Sequence, residues 1–331
     1  MSPEDEFGFG ASIRWDDESV ERSDARKRIL NRMPTNSLIQ IEKLSKRYGN
    51  SKTYALKDVS LAVTAGEVYG FLGSNGAGKS TTIRALLGFL QPTGGSATIC
   101  GLDMVRDTVE VKRHVGYLAG DVALYKKMTG HDLLAYLQQL QPLKHQAYYQ
   151  ELISRFNADL SKPIDELSKG NRQKIGLIQA FMHEPEVLIL DEPTSGLDPL
   201  MQEAFYELID GCKQRGAAVF VSSHNLDEVQ RMCDRVGIVR AGELVSEQTV
   251  SELNAQNAQR FTVVFNHQTP TNLSHVSGLK VDSQQDAQAV VSIKGSLQPF
   301  LAFLAKHQVI SLSSRQTNLE EEFLQFYGDK S

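Results

Sequence analysis

The chain has 331 residues, enough for one large core or two domains, and its 41% hydrophobic and 23% charged residues are an ordinary globular balance. A net charge of −5 argues against general nucleic-acid binding, which a basic excess would signal, although a local basic patch stays open. No stretch approaches the ~20 apolar residues of a membrane span and no N-terminal apolar run resembles a signal peptide, so a membrane role is expected only through a partner.

Residues 1 to about 36 mix acidic and basic side chains without an apolar period and are expected to be mostly disordered; residues 1–32 read as an extension, a tag or an upstream start. Alternating strands at Leu38–Leu44 and Val59–Val63 predict an antiparallel layer. Val68–Leu72 is a short apolar strand. It runs into GSNGAGKS, followed by Ile83, Leu86, Leu87 and Leu90 at the spacing of a buried helix face, with Pro92 expected to stop the helix. Residues 103 to 165 read as mainly helical, with Thr129 and Asp132 as a capping box and Leu133, Leu134, Leu137 and Leu140 as the buried stripe. Val187–Leu190 and Ala217–Val221 are continuous apolar runs, as in parallel strands covered on both faces, and a helix from about Leu200 to Gln214 links them. After about residue 245 the pattern changes. Strands at Phe261–Phe265, Ala289–Ile293 and Val309–Leu312 with flanking helical patterns predict a second domain, closed by a stripe of Leu319, Phe323 and Tyr327 read mainly as core packing. Cys100, Cys212 and Cys233 lack C-x-x-C spacing, so neither a disulfide framework nor a zinc site is expected.

The loop from Gly73 to Ser80 fits G-x-x-x-x-G-K-[ST] between a strand and a helix, the setting in which backbone N–H groups wrap a phosphate chain. Gly73, Gly76 and Gly78 let the main chain approach closely. Ser74, Asn75, Ala77 and Thr81 complete the lining, Lys79 adds a charge for the β- and γ-phosphates, and Ser80 offers a hydroxyl to Mg²⁺. Ligands of open α/β sheets sit beyond the carboxyl ends of the strands, and two further strand ends carry chemistry here. VLIL ends in Asp191 and Glu192; AAVFV ends in Ser222, Ser223 and His224. Asp191 suits Mg²⁺ through its water shell, Glu192 suits a water-polarising base, and His224 suits a donor to a γ-phosphate oxygen, though helix capping accounts for such residues elsewhere.

Together these motifs resemble the ATP-binding cassette family. Gly73–Ser80 is similar to its Walker A loop, VLILDE to Walker B, Leu167–Asn171 (LSKGN) to the ABC signature, Ser195–Asp198 (SGLD) to the D-loop and His224 to the switch histidine; Tyr48 sits where the family stacks an aromatic ring on adenine. The resemblance covers about residues 37–245. It implies an α/β P-loop NTPase fold of ABC type with an antiparallel β layer and an inserted helical subdomain (about 103–182), followed by a small α+β accessory domain over 246–331. It further implies an ATPase using ATP and Mg²⁺, working as a dimer with a second copy or a homologous subunit on the cytoplasmic face of the membrane, and energising export by a separate integral permease. Ser168 and Gly170, at a helix N-terminus, and Asp198 would meet the second chain's nucleotide.

Two departures stand out. Lys169 and Asn171 replace the commonest Gly and Gln of the signature, as in export-type subunits paired with a separate permease. Gly120 takes the place of the usual metal-touching Gln, which leaves neighbouring Asp121 as the expected oxygen ligand or, equally, as a solvent-facing bystander. An alternative function is a cassette ATPase that moves no solute, with a regulatory or nucleic-acid-linked role. Against it, only one Walker A loop is present and no sustained heptads occur. A GTP switch would need an N-K-x-D stretch, which the sequence lacks.

Overall fold

A computed structural model of the chain describes residues 37–49, 53–256, 259–293 and 295–315. The expectations for residues 1–36 and for Leu319, Phe323 and Tyr327 lie outside the described residues.

Alternating apolar side chains build the first layer. Strands β1 (Ser37–Lys46) and β2 (Leu56–Thr64) pair antiparallel and bury Ile39, Ile41, Leu44, Val59, Leu61 and Val63. The chain then enters β3 (Val68–Leu72), buried at every residue, and turns through the glycine loop into helix α1 (Lys79–Leu86). This helix stops earlier than the apolar spacing predicts. Gly88 adopts φ 68° and its N–H donates to Ala85 O (3.0 Å), so a left-handed C-terminal turn ends the helix before Pro92 is reached. Strands β4 (Gly94–Ile99) and β5 (Leu102–Asp103) complete a sheet of order β2-β1-β4-β5.

The next stretch is less uniformly helical than its sequence suggests. After α2 (Thr108–His114), Val115–Leu118 forms β6 and pairs parallel with a later strand. Only then come α3 (Gly130–Leu140), α4 (Gln146–Phe156) and, after a short 3₁₀ turn, α5 (Lys169–Phe181). The capping box is present: Thr129 Oγ1 accepts from Asp132 N at 3.1 Å and the Asp132 carboxylate faces back to Thr129. Leu133 and Leu134 are buried and Leu137 is half-buried, but Leu140, on the last turn, is 66% exposed and falls outside the stripe.

Strand β7 (Val187–Asp191), helix α6 (Pro199–Gln214), β8 (Ala218–Ser223), α7 (Leu226–Met232), β9 (Arg235–Arg240) and β10 (Glu243–Thr249) finish the central sheet, whose order is β10-β9-β3-β8-β7-β6. All pairs are parallel except β10 with β9. Its faces alternate as a two-sided sheet requires. Val68, Leu72, Leu188, Leu190, Val219 and Val221 pack toward the helices, whereas Tyr69, Phe71, Val187, Ile189 and Phe220 pack toward the antiparallel layer.

The remainder comprises α8 (Val250–Gln256), β11 (Gln259–Phe265), β12 (Leu279–Gln285), β13 (Gln288–Ile293), α9 (Gln298–Leu304) and β14 (Val309–Arg315). These strands form an antiparallel sheet of order β12-β13-β11-β14, with its own core of Val263, Phe265, Ala289, Val291, Ile293, Phe300 and Leu304. No helix among the described residues is long and apolar enough to cross a membrane.

Candidate nucleotide site

The loop after β3 is shaped by close backbone contact. Gly73 N–H donates to Ser223 O (3.2 Å), which seats the loop's start at the end of β8, and Ala77 N–H donates to Ser74 O (3.1 Å). Gly78 stands at φ 115° as the first residue outside α1, where a Cβ would lie 2.9 Å from Leu56 Cδ2 and 3.0 Å from Ala55 O. Glycine is therefore required on steric and torsional grounds together. It supplies no capping side chain, so the first N–H groups of α1 are left for an external acceptor at the positive end of the helix dipole. Ser74, Asn75 and Gly76 form the exposed rim, and Thr81 sits half-buried in the first turn of α1.

Lys79 is only 5% exposed, and its ammonium lies inside the loop: Nζ donates to Gly73 O (2.6 Å) and Ser74 O (3.3 Å) and lies 3.6 Å from Glu192 Oε1. Burial pulls its pKa below the ordinary lysine value, while Glu192 and Asp191 push the other way. A buried cation facing neutral carbonyls and one carboxylate is an electrostatic seat for a polyanion.

The acidic groups arrive from the carboxyl end of β7. Asp191 Oδ2 accepts from Ser80 Oγ at 3.0 Å and Oδ1 from the fully buried Ser222 hydroxyl. Immediately afterwards the backbone turns left-handed at Glu192 (φ 48°), an uncommon conformation for a side-chain-bearing residue, held by Glu192 N–H on Ser222 O (3.1 Å). That turn brings Glu192 Oε1 to 3.0 Å from His224 Nδ1 at the end of β8. Lys79, Ser80, Asp191, Glu192 and His224 thus form one linked cluster across β3, β7 and β8.

Other predicted residues lie apart from it. Ser168 caps α5 by accepting from Asn171 N (3.2 Å), and Asp198 caps α6 by accepting from Met201 N (3.0 Å). A Cβ on Gly170 would stand 3.1 Å from Gly196 O, so the LSKGN and SGLD segments touch each other. Among the described residues no hydrogen bond or ion pair joins Ser168, Gly170 or Asp198 to the loop. Tyr48 is 48% exposed, with Lys46 Nζ 5.5 Å from its ring centroid. Gly120 faces the cluster: a Cβ there would lie 3.5 Å from Asp191 Oδ2, whereas Asp121 is exposed.

The sequence did not point to the residues that brace this site. Glu228 on α7 accepts from Thr194 Oγ1 (2.5 Å) and Ser223 Oγ (2.9 Å), tying the segment after β7 to the end of β8, and the buried Gln173 donates from Nε2 to Pro193 O (2.9 Å). Their signal is weak because each is one of several polar residues on an amphipathic helix, and nothing local distinguishes it from its neighbours.

The family described as ABC transporter matches residues 56–195. The ABC transporter ATP-binding protein NatA of Bacillus subtilis (strain 168) is 36% identical over 237 residues, 69% of this chain and 96% of NatA.

The chain belongs to this family. The probable multidrug ABC transporter ATP-binding protein YbhF of Escherichia coli (strain K12) is 38% identical over 232 residues, covering 68% of this cassette chain but 39% of YbhF, so the match spans well under half of that relative. A solved ATP-binding subunit of an ABC transporter superposes with a TM-score of 0.62 at 31% identity, over 66% of this chain and 92% of that one. The fold is accordingly that of an ABC ATPase.

Proposed function

We propose that this ABC subunit binds and hydrolyses ATP between two copies of itself, or between itself and a homologous subunit, and so energises export by a separate integral membrane permease. The observation that carries the reading is the linked cluster of Lys79, Ser80, Asp191, Glu192 and His224 at the ends of three parallel strands. A triphosphate in the loop would give Lys79 anionic partners in place of loop carbonyls. Ser80 Oγ and Asp191 Oδ2, 3.0 Å apart, are an all-oxygen pair suited to a small hard cation and would hold Mg²⁺, which would offset phosphate charge. Asp121 would join them only if its segment turned the exposed carboxylate inward.

Glu192 is placed to orient and deprotonate a water aimed at the γ-phosphate, and His224, whose Nδ1 faces Glu192, has Nε2 left for a γ-phosphate oxygen. Tyr48 would stack on the adenine. Ser168, Gly170 and Asp198 would complete the nucleotide site of the opposite subunit, which accounts for their standing apart from this chain's own loop. YbhF, described as a probable multidrug ABC transporter ATP-binding protein, supports export, and a chain of this kind would work on the cytoplasmic face of the membrane.

The test is phosphate release by the purified chain. Lys79→Ala should remove nearly all Mg²⁺-dependent ATP hydrolysis, because the phosphates lose their buried counter-charge; unchanged turnover in a preparation free of other ATPases would refute the assignment.

A further inference from the structure

A second cluster of ligating side chains lies at the other end of the central sheet. Cys100 follows β4, His114 is the last residue of α2 and Glu186 immediately precedes β7. One ligand atom from each lies within 4.8 Å of the other two. His114 Nδ1 is 3.0 Å from Glu186 Oε1, and Cys100 Sγ is 3.8 Å from Glu186 Oε2. A tetrahedral zinc ion with Zn–N and Zn–O near 2.05 Å and Zn–S near 2.3 Å separates its N and O ligands by about 3.3 Å and its S and O ligands by about 3.6 Å. The two separations lie within a few tenths of an ångström of those edges but run to different oxygens of Glu186, so its exposed carboxylate would turn to bring one oxygen to the ion.

We propose that Cys100, His114 and Glu186 form a zinc site, with water as the fourth ligand. The donor set selects the ion: a thiolate and an imidazole favour a borderline-soft metal over Mg²⁺ or Ca²⁺, which prefer oxygen alone. The backbones are held independently of any metal. Cys100 N–H donates to Leu38 O (2.8 Å), and Glu186 O accepts from Ala218 N (3.0 Å). Around His114, the ring nitrogen facing away from Glu186 lies 3.8 Å from Glu110 Oε1, within ion-pair reach but beyond hydrogen-bond distance. Access is open, since Cys100 is 4% exposed but the Glu186 side chain is 49% exposed.

The site is separate from the nucleotide. Glu186 and Asp191 stand at opposite ends of β7, roughly 16 Å apart at about 3.3 Å per residue. Its three ligands come from the antiparallel layer, from α2 and from the central sheet, so the metal would clamp the two layers together. The bound state would be stabilised against unfolding by linkage.

The experiment uses the full chain, stripped of metal and reduced. Zinc is titrated in competition with a chromogenic chelator, and cobalt is titrated as a spectroscopic substitute. One equivalent should bind, and the cobalt form should show a thiolate-to-metal charge-transfer band. Cys100→Ser should abolish that band. Cys212→Ser and Cys233→Ser, at the other two buried thiols, should leave it intact. Glu186→Gln changes an exposed, near-isosteric group; it should keep the band and weaken zinc binding by more than about a hundredfold, beyond the roughly 10–100-fold of a typical outer-shell change. Zinc should also raise the thermal midpoint of wild type but not of Cys100→Ser. Failure of the wild-type chain to take zinc from the chelator would leave a hydrogen-bonded triad and overturn the proposal, as would a charge-transfer band that survives Cys100→Ser.

Discussion

His183 sits at the end of α5 against β6, 7% exposed, with Nε2 buried and unpartnered and its other contact made to the Val115 backbone. Burial lowers its pKa from the ordinary 6.5 to about 4. The folded-state value therefore lies below the unfolded one, so the unfolded chain binds the proton more readily between those values. The contribution of neutral His183 to stability is fully present above about pH 6.5, declines as pH falls, and is exhausted near pH 4. A gap of about 2.5 pH units at about 1.4 kcal/mol each gives a total of about 3 kcal/mol, of which about 2 kcal/mol is lost between about pH 7 and pH 5. The comparison is with His183→Asn, whose amide can still donate near the position of Nδ1 but does not titrate. Urea midpoints for both proteins across this range should diverge, with wild type losing about 2 kcal/mol more than the variant by about pH 5. Parallel curves would show that the ring is solvated or already paired in the native state.

Asn171→Ala should destabilise the folded chain by about 1–2 kcal/mol, since the amide both accepts from Asp159 N (2.8 Å) and donates to Asp159 O (2.7 Å); unchanged chemical denaturation would refute this. Asn171→Gln, which installs the family's commoner residue, should recover less than half of that loss, because the longer side chain cannot repeat both bonds at one backbone unit; full recovery would contradict the geometry. If Asp121 serves as a metal ligand, Asp121→Ala lowers hydrolysis and weakens its dependence on Mg²⁺ while ATP binding persists, and Asp121→Asn retains part of the rate. Wild-type kinetics in the alanine variant would make it a bystander.

Much of the site's framework was legible because it rests on local rules. The loop after β3 needs glycines at fixed offsets, Asp191, Glu192 and His224 stand where buried strands end, and Ser168 and Asp198 stand where helices begin. What could not be read depends on contacts distant in sequence. VGYL is four residues long and flanked by helical patterns, and only its pairing with β7 makes it the sheet's edge. Leu140 fits the apolar spacing of α3, yet the last turn projects beyond the core. The left-handed turn at Glu192 leaves no mark in the sequence, because glutamate has no preference for it; the contacts of Ser222 impose it. The cluster at Cys100, His114 and Glu186 escaped for the same reason, its members being 14 and 72 residues apart.

The central claim, that two subunits enclose ATP and hydrolyse it, is tested most directly by the solution mass of Glu192→Gln. Replacing the base should slow hydrolysis by about 10²- to 10⁴-fold, while Ser80, Asp191 and the loop still bind nucleotide. Light scattering coupled to size-exclusion chromatography should then give twice the monomer mass with ATP and Mg²⁺, and the monomer mass with ADP. A monomer at every ATP concentration would contradict the two-subunit account.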